Sequence, residues 1–326
     1  MTRALALVSG GLDSILAAKL VKDQGIDVIG ICFKSAFFSH ENAVKMTEQI
    51  DIPLKVVDFT EEHFEMVKNP KHGYGKNMNP CIDCHAMMMS YAGRLLEELN
   101  ADFIITGEVL NQRPMSQNKS ALDIVKKESG FEDKILRPLC AKNLEPTKME
   151  LEGLVDREKL ESISGRSRKR QMELAKAWGI EEYPSPAGGC KLTEPNFSNR
   201  LKDLLMHNKD AKPQDVEILR YGRHFRVSER AKVISTREQS EAEIIKPLIN
   251  KNDYVFIAKD FTGSMVILQG SPEEEDILLA GRICGRYSKG KDQDELEIKY
   301  KQNSDKTYNI LKVKPAKDED IVQFLI

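Results

Sequence analysis

RALALVSGGLDS (residues 3–14) decides the fold. Residues 4–8 are all apolar, the pattern of a strand covered on both faces. Gly10 and Gly11 permit a tight turn and a close backbone approach, and LDSILAAKLVKDQG then reads as a helix stopping at Gly25. A strand that turns through glycines into a helix presents free backbone N–H groups to an anion. Ser9 and Ser14 add hydroxyls. Asp13, in the first helical turn, either caps the helix or holds Mg²⁺ beside a pyrophosphate. The chain has no GxxxxGK[ST] string, so this is not an ordinary nucleotide P-loop.

Working outward, short apolar runs alternate with helical patterns. DVIGICF (27–33), LKVVDF (54–59) and DFIITG (102–107) read as strands; HENAVKMTEQIDI (40–52) and CHAMMMSYAGRLLEELNA (84–101) read as helices. This alternation predicts an α/β fold, a doubly wound parallel sheet with helices on both faces. Ligands of such sheets bind at the carboxyl ends of the strands. The Ser9 loop, Phe33 and the Gly107 loop fall there. Phe33 is either a stacking surface for adenine or a core aromatic.

The pattern changes near Cys190. AKVIST (231–236), DYVFIAKD (253–260) and GSMVILQG (263–270) read as strands between Gly, Asn and Asp turns. An acidic helical segment (271–284) follows, and ELEIKYKQ (295–302) with YNILKVKP (308–315) looks like a closing hairpin. The expected domains are 1–195 and a second, smaller α+β domain, 196–326.

The 326 residues are 40% hydrophobic and 31% charged, enough for two cored domains. No run of 18 apolar residues occurs, so no membrane association is expected. The first residues lack a signal-peptide pattern, and a cytoplasmic protein is expected. Net charge is −2, which gives no global nucleic-acid signal. Two basic runs stand out: GRSRKRQ (165–171), with Arg166, Arg168, Lys169 and Arg170, and RYGRHFRVSERAK (220–232), with Arg220, Arg223, Arg226 and Arg230. Such runs are solvated faces or phosphate contacts.

Six cysteines in a chain this long are core thiols, metal ligands or catalysts rather than a disulfide framework. Cys32, Cys140 and Cys284 lie in apolar or ordinary contexts and read as core thiols. Cys81 and Cys84, in MNPCIDCH (78–85), form a CxxC pair that opens a helix, and Cys190 ends SPAGGC (185–190). A helix N-terminus would favour a low-pKa thiolate at Cys84. Zinc is a competing reading, but it wants four ligands, and a second CxxC or HxxxH pair is absent. Adjacent Cys84 and His85 rarely reach one metal.

Ser-Gly-Gly-Leu-Asp-Ser (9–14) resembles the PP-loop ATP pyrophosphatases. Asn-Pro-Cys-x-x-Cys and Ser-Pro-Ala-Gly-Gly-Cys look like motifs of the tRNA 2-thiouridine synthetases. TGEVLNQRPMSQ (106–117) and LRPL (136–139) look more like the 4-thiouridine synthetases. The resemblance implies cleavage of ATP between its α and β phosphates, with Ser9, Gly10, Gly11, Leu12, Asp13 and Ser14 as the pyrophosphate cradle. It implies Gly107, Gln117 and, beside it, Ser116 near the nucleotide, and catalytic roles for Asp13, Cys84 and Cys190. Relatives with a CxxC and a distant cysteine carry a [4Fe–4S] cluster. Cys81, Cys84 and Cys190 fit that pattern, with a persulfide route through Cys84 and Cys190 as the alternative. An acidic residue of other relatives is replaced by Cys81; Asp83 or His85 is the candidate substitute for proton handling.

DYVFIAKDFTGSMVIL (253–268) resembles the NFACT RNA-binding module, loosely over residues 215–290. The expected function is ATP-dependent thiolation of a tRNA uridine. Its partners would be tRNA and a sulfur donor: a cysteine desulfurase, a sulfur carrier or free sulfide. The runners-up are a PP-loop ligase that forms an amide and a non-catalytic, zinc-containing RNA-binding protein.

Overall fold

The computed structural model describes residues 2–185 and 189–326; Pro186, Ala187 and Gly188 of the SPAGGC motif lie outside them. The chain divides into two compact units, Met1–Glu194 and Pro195–Ile326.

The first unit is built on a five-stranded parallel sheet of order β3-β2-β1-β4-β5: β1 (Arg3–Leu7), β2 (Asp27–Lys34), β3 (Leu54–Asp58), β4 (Phe103–Thr106) and β5 (Ile135–Leu136). The apolar run in β1 serves both faces. Ala4 and Ala6 enter one core with Ile15, Leu16 and Val21 of α1 (Leu12–Lys22), and Leu5 enters another with Ala86, Met89 and Leu96. α2 (Glu41–Glu48) contributes to the first core. α3 (Thr60–Lys68) precedes α4 (Cys81–Glu98), whose apolar positions recur at helical spacing and fill the second core. Met89, from the triple methionine, is fully buried there. α5 (Lys119–Glu128), α6 (Lys148–Leu151) and α7 (Lys169–Ala177) complete the unit.

Chain order reverses between β1 and β4. That makes their carboxyl ends the topological switch point, where a doubly wound sheet opens a crevice.

The second unit starts with α8 (Pro195–His207) and α9 (Gln214–Glu217). Its six-stranded antiparallel sheet runs β11-β10-β8-β9-β7-β6: β6 (Arg223–Ser228), β7 (Ala231–Ser235), β8 (Tyr254–Ala258), β9 (Val266–Gly270), β10 (Leu296–Gln302) and β11 (Asn309–Val313). α10 (Gln239–Ile245) follows β7, and α12 (Asp318–Ile321) lies near the end of the chain. α11 (Glu274–Arg286) buries Ala280, Ile283 and Cys284 against Phe256, Leu268 and Ile298 of the sheet. The basic run at 220–232 is mostly β6, its turn and the start of β7.

Candidate functional site

The glycine loop occupies the switch point. β1 ends at Leu7 and α1 begins at Leu12, with Gly11 at the N-cap and no side chain capping the first turn. The helix therefore keeps free N–H groups at its start. Gly10 has φ of +79°, and a Cβ there would lie 2.7 Å from Ala43 N. Conformation and the approach of α2 both demand glycine. Ser9 Oγ accepts from Gly11 N–H at 3.4 Å, and Ser14 Oγ donates to the Gly11 carbonyl at 2.8 Å.

Gly107 also has a packing role. A Cβ at this position would lie 2.5 Å from Ser14 N and 2.7 Å from Asp13 C. The glycine lets the end of β4 press against the first turn of α1.

Asp13 is held by Gln112 and Gln171, which sequence reasoning did not single out, and by Arg168, which it did. Gln112 Nε2 donates to Asp13 Oδ2 at 2.7 Å, and Gln171 Nε2 donates to Gln112 Oε1 at 2.9 Å. Arg168, at the N-cap of α7, brings Nη2 to 3.8 Å from Asp13 Oδ1. Its segment is tied to the loop after β4: Gly165 N–H donates to the Leu110 carbonyl at 2.8 Å. Asp13 Oδ1, Arg168 Nε, Gln117 Oε1 and Gln171 Oε1 are all buried without a hydrogen-bond partner. Buried polar atoms are normally paired, so four orphans in this part of the unit mark a place made for a polar ligand. Gln112 lay within the quoted TGEVLNQRPMSQ motif and Gln171 closes the quoted GRSRKRQ run; neither residue was itself singled out.

Glu108, Arg137 and His85 form a buried chain at the same edge of the sheet. Arg137 Nε is 2.8 Å from Glu108 Oε2, and His85 Nδ1 is 2.9 Å from Glu108 Oε1. Both Glu108 and Arg137 side chains are only 5% exposed. Burial alone would raise the Glu108 carboxyl, but Arg137 and the His85 hydrogen bond outweigh it and hold the pKa at about 2. Glu108 thus anchors an ion pair. The ring of Phe33 packs into an aromatic cluster, 5.0 Å from Phe59 and 6.1 Å from Tyr91.

The cysteines come together from distant parts of the sequence. Cys81 and Cys84 open α4, and Asn79 Nδ2 donates to Cys81 Sγ at 3.3 Å. The Cys190 segment is stitched beside them: Asn77 Nδ2 donates to the Thr193 carbonyl at 2.7 Å, and Lys191 N–H to the Phe37 carbonyl at 3.0 Å. Burial, with the charges of Cys190, Cys81 and Asp83 added, pushes the Cys84 thiol well above its ordinary range. Burial likewise pushes Cys190 up to about 11, with Cys81 contributing. The expected low-pKa thiolate is therefore not found; desolvation and mutual proximity overcome the helix N-terminus. All six cysteines are free, and Cys32, Cys140 and Cys284 are buried. Among the described residues no three His, Cys, Asp or Glu side chains converge as metal ligands.

Of the expected RNA contacts, Arg168 lies at Asp13. Arg170 pairs with Glu161 at 2.6 Å and Glu173 at 3.6 Å. Arg226 gives one edge of its guanidinium, Nε and Nη2, to the two carboxylate oxygens of Asp203, at 2.9 and 2.7 Å. Arg223 lies 4.7 Å from the centre of the Tyr287 ring. Arg166 and Lys169 are at the approach to α7.

Residues 1–148 match the family model of the thiamine biosynthesis protein (ThiI), and residues 222–325 match that of the NFACT protein RNA binding domain. The chain thus joins a ThiI-type PP-loop segment to an NFACT-type segment. The tRNA-specific 2-thiouridylase MnmA of Clostridium acetobutylicum is 37% identical over 119 residues, 31% of this chain and 34% of the relative. That of Bacillus licheniformis is 28% identical over 248 residues, 68% of this chain and 61% of the relative. The chain therefore spans from a third to three-fifths of the length of these relatives. A 4-thiouridine synthetase–RNA complex with bound ATP aligns at TM-score 0.36 and 16% identity, over 55% of this chain and 52% of that one. No helix among the described residues is long and apolar enough to cross a membrane.

Proposed function

We propose that the protein is an ATP-dependent tRNA sulfurtransferase that thiolates a uridine. The observation that carries this reading is the return of Cys190 to the Cys81–Cys84 helix start, in the unit that also holds the glycine loop with its orphaned polar atoms. An amide-forming ligase has no use for three gathered thiols. A non-catalytic RNA-binding protein has no use for an orphaned Asp13 Oδ1 and Arg168 Nε.

In this reading the phosphates of ATP lie on the free N–H groups of α1 and the Ser9 and Ser14 hydroxyls. In the same reading Asp13 would hold Mg²⁺ through Oδ1, which accepts no hydrogen bond. Arg168 is assigned to phosphate in place of RNA. The uracil carbonyl oxygen attacks the α-phosphorus and pyrophosphate leaves. A sulfur nucleophile then attacks the carbon bearing the new C–O–P bond, and AMP departs as the leaving group. With a persulfide on Cys190, attack by the Cys84 thiolate on the carrying sulfur releases the thiocarbonyl and leaves a Cys84–Cys190 disulfide. An external thiol must then reduce it. With sulfide as donor no disulfide forms. Cys81, Cys84 and Cys190 would be the ligands of a [4Fe–4S] cluster, which would supply an open iron for sulfide, although among the described residues they do not form a site for a single metal ion. The Arg137–Glu108–His85 chain fixes the start of α4, and with it the thiols.

The test is nucleoside mass spectrometry of tRNA treated with the protein, ATP, Mg²⁺ and a sulfide or desulfurase donor. Thiouridine should form with wild type and be absent with Asp13→Ala or Cys190→Ala of unchanged fold. Unchanged modification by either variant would refute the assignment.

A further inference from the structure

Most of the basic run that sequence singles out in the second unit is paired within the chain. Arg220 Nε lies 2.9 Å from Glu217, and Arg230 Nη2 lies 2.5 Å from Glu273. Arg226 and the buried Lys232 both pair with Asp203 of α8, at 2.7 and 3.3 Å. Arg223 covers the Tyr287 ring. These side chains hold β6 and β7 to their surroundings. A polyanion needs cations that are not already neutralised.

Such cations lie at the other edge of the sheet, on the β10–β11 hairpin. Its register pairs Leu296 with Val313, Ile298 with Leu311 and Tyr300 with Asn309. Leu296, Ile298, Tyr300, Leu311 and Val313 belong to the core under α11. Side chains alternate along a strand, so Lys299, Lys301, Ile310 and Lys312 share the opposite face. Lys299 stands across from Ile310 on one side and Ile257 on the other. Ile310 is 47% exposed and Tyr308 44% exposed. Lys301 Nζ lies 5.3 Å from the Tyr308 ring centre, and Lys312 makes only an exposed 3.6 Å pair with Glu295. Glu297, which stands directly across from Lys312, is engaged by Lys259. Among the described residues Lys299 and Lys306 have no carboxylate partner.

Flexible ammonium groups interleaved with an exposed aromatic ring are what a single-stranded nucleic acid recognises: cations track phosphates while a base stacks. The hairpin also lies within the stretch that matches the RNA binding domain model. We infer that the RNA-contacting surface of this unit is the open face of the β10–β11 hairpin. Lys299, Lys301 and Lys312 meet phosphates there, Tyr308 stacks a base, and the 220–232 run is structural. The inference rests on the reading that RNA is the substrate, and the experiment separates the two.

Binding of a fluorescent, unmodified tRNA transcript to the full chain is measured across roughly 50 to 200 mM salt. The Lys299→Gln/Lys301→Gln/Lys312→Gln variant should flatten the slope of log K against log salt by about 2, and weaken binding about a hundredfold near 0.1 M salt. Tyr308→Ala should weaken it about tenfold with the slope unchanged. These side chains are on the surface, so circular dichroism and melting should match wild type. A triple variant that binds as wild type, while Arg223→Gln/Arg230→Gln loses affinity with its fold intact, would overturn the placement. Polyglutamate binding as tightly as tRNA, and lost in the same variant, would assign the face to an acidic protein and overturn it too. A wild-type chain that binds no tRNA would refute the RNA reading itself.

Discussion

Gly107→Ala is the smallest change that reaches from packing to chemistry. The new Cβ would sit 2.5 Å from Ser14 N and 2.6 Å from Ser14 Cα, where ordinary contact begins near 3.4 Å. The obstructing atoms are backbone, so no rotamer relieves the clash. The end of β4 and the first turn of α1 must separate by about 0.9 Å. Overpacking of this kind costs about 1–3 kcal/mol. At roughly 2–4 °C per kcal/mol for a unit of this size, the melting temperature should fall by several degrees. The activity loss should be larger. Asp13 and Ser14 move with the turn, and a displacement near 1 Å at a reacting centre costs on the order of a hundredfold in rate. Gly11→Ala is the comparison for stability: its Cβ would meet only Ser9 Oγ, at 3.5 Å. Calorimetry on both variants, with tRNA-dependent pyrophosphate release from ATP for Gly107→Ala, checks the argument. A Gly107→Ala protein with wild-type melting and rate would refute the claim that this approach is what requires glycine.

Removing Arg137 strands the Glu108 carboxylate in the interior, so Arg137→Met should destabilise the first unit by about 3–5 kcal/mol in denaturant titration. In wild type the Glu108 pair stabilises fully above the unfolded carboxyl pKa near 4.5, and that stability should fade as pH drops toward 2. His63 is fully buried with neither ring nitrogen partnered, and burial lowers its pKa to about 4. The unfolded chain binds its proton first, so stability should fall as pH drops from about 6.5 to 4, and His63→Leu should remove that slope. Cys84 and Cys190 should react slowly with iodoacetamide at neutral pH in metal-free protein, with rates still rising above pH 9; a plateau near pH 7 would contradict the burial argument.

The parts of the fold that local patterning controls were legible. The apolar run into two glycines, the helix after it and the α4 stripe carry their instructions in adjacent residues. Sheet order was not legible, because β4 pairs with β1 through contacts far apart in sequence. The site divides in the same way. Asp13 and the cysteines lie in compact motifs. Gln171, which reaches Asp13 through Gln112, and Arg137, which fixes Glu108, lie in quoted strings, but their partners sit in other elements that those strings do not name. The basic runs show a physical limit of reading charge from sequence. A count of cations says nothing about which carboxylates fold back onto them, and Asp203, Glu161 and Glu273 do so here. The lysines of the β10–β11 hairpin drew no notice in sequence because alternation dilutes them among apolar residues.

The most direct test of the central claim is the product ratio in one reaction. The full chain is incubated with ATP, Mg²⁺, tRNA and a sulfur donor, and AMP, pyrophosphate and thiouridine are quantified together. The account predicts equal amounts of all three, with AMP formation dependent on tRNA. ADP and phosphate as products, or AMP formed without thiolated tRNA, would contradict it.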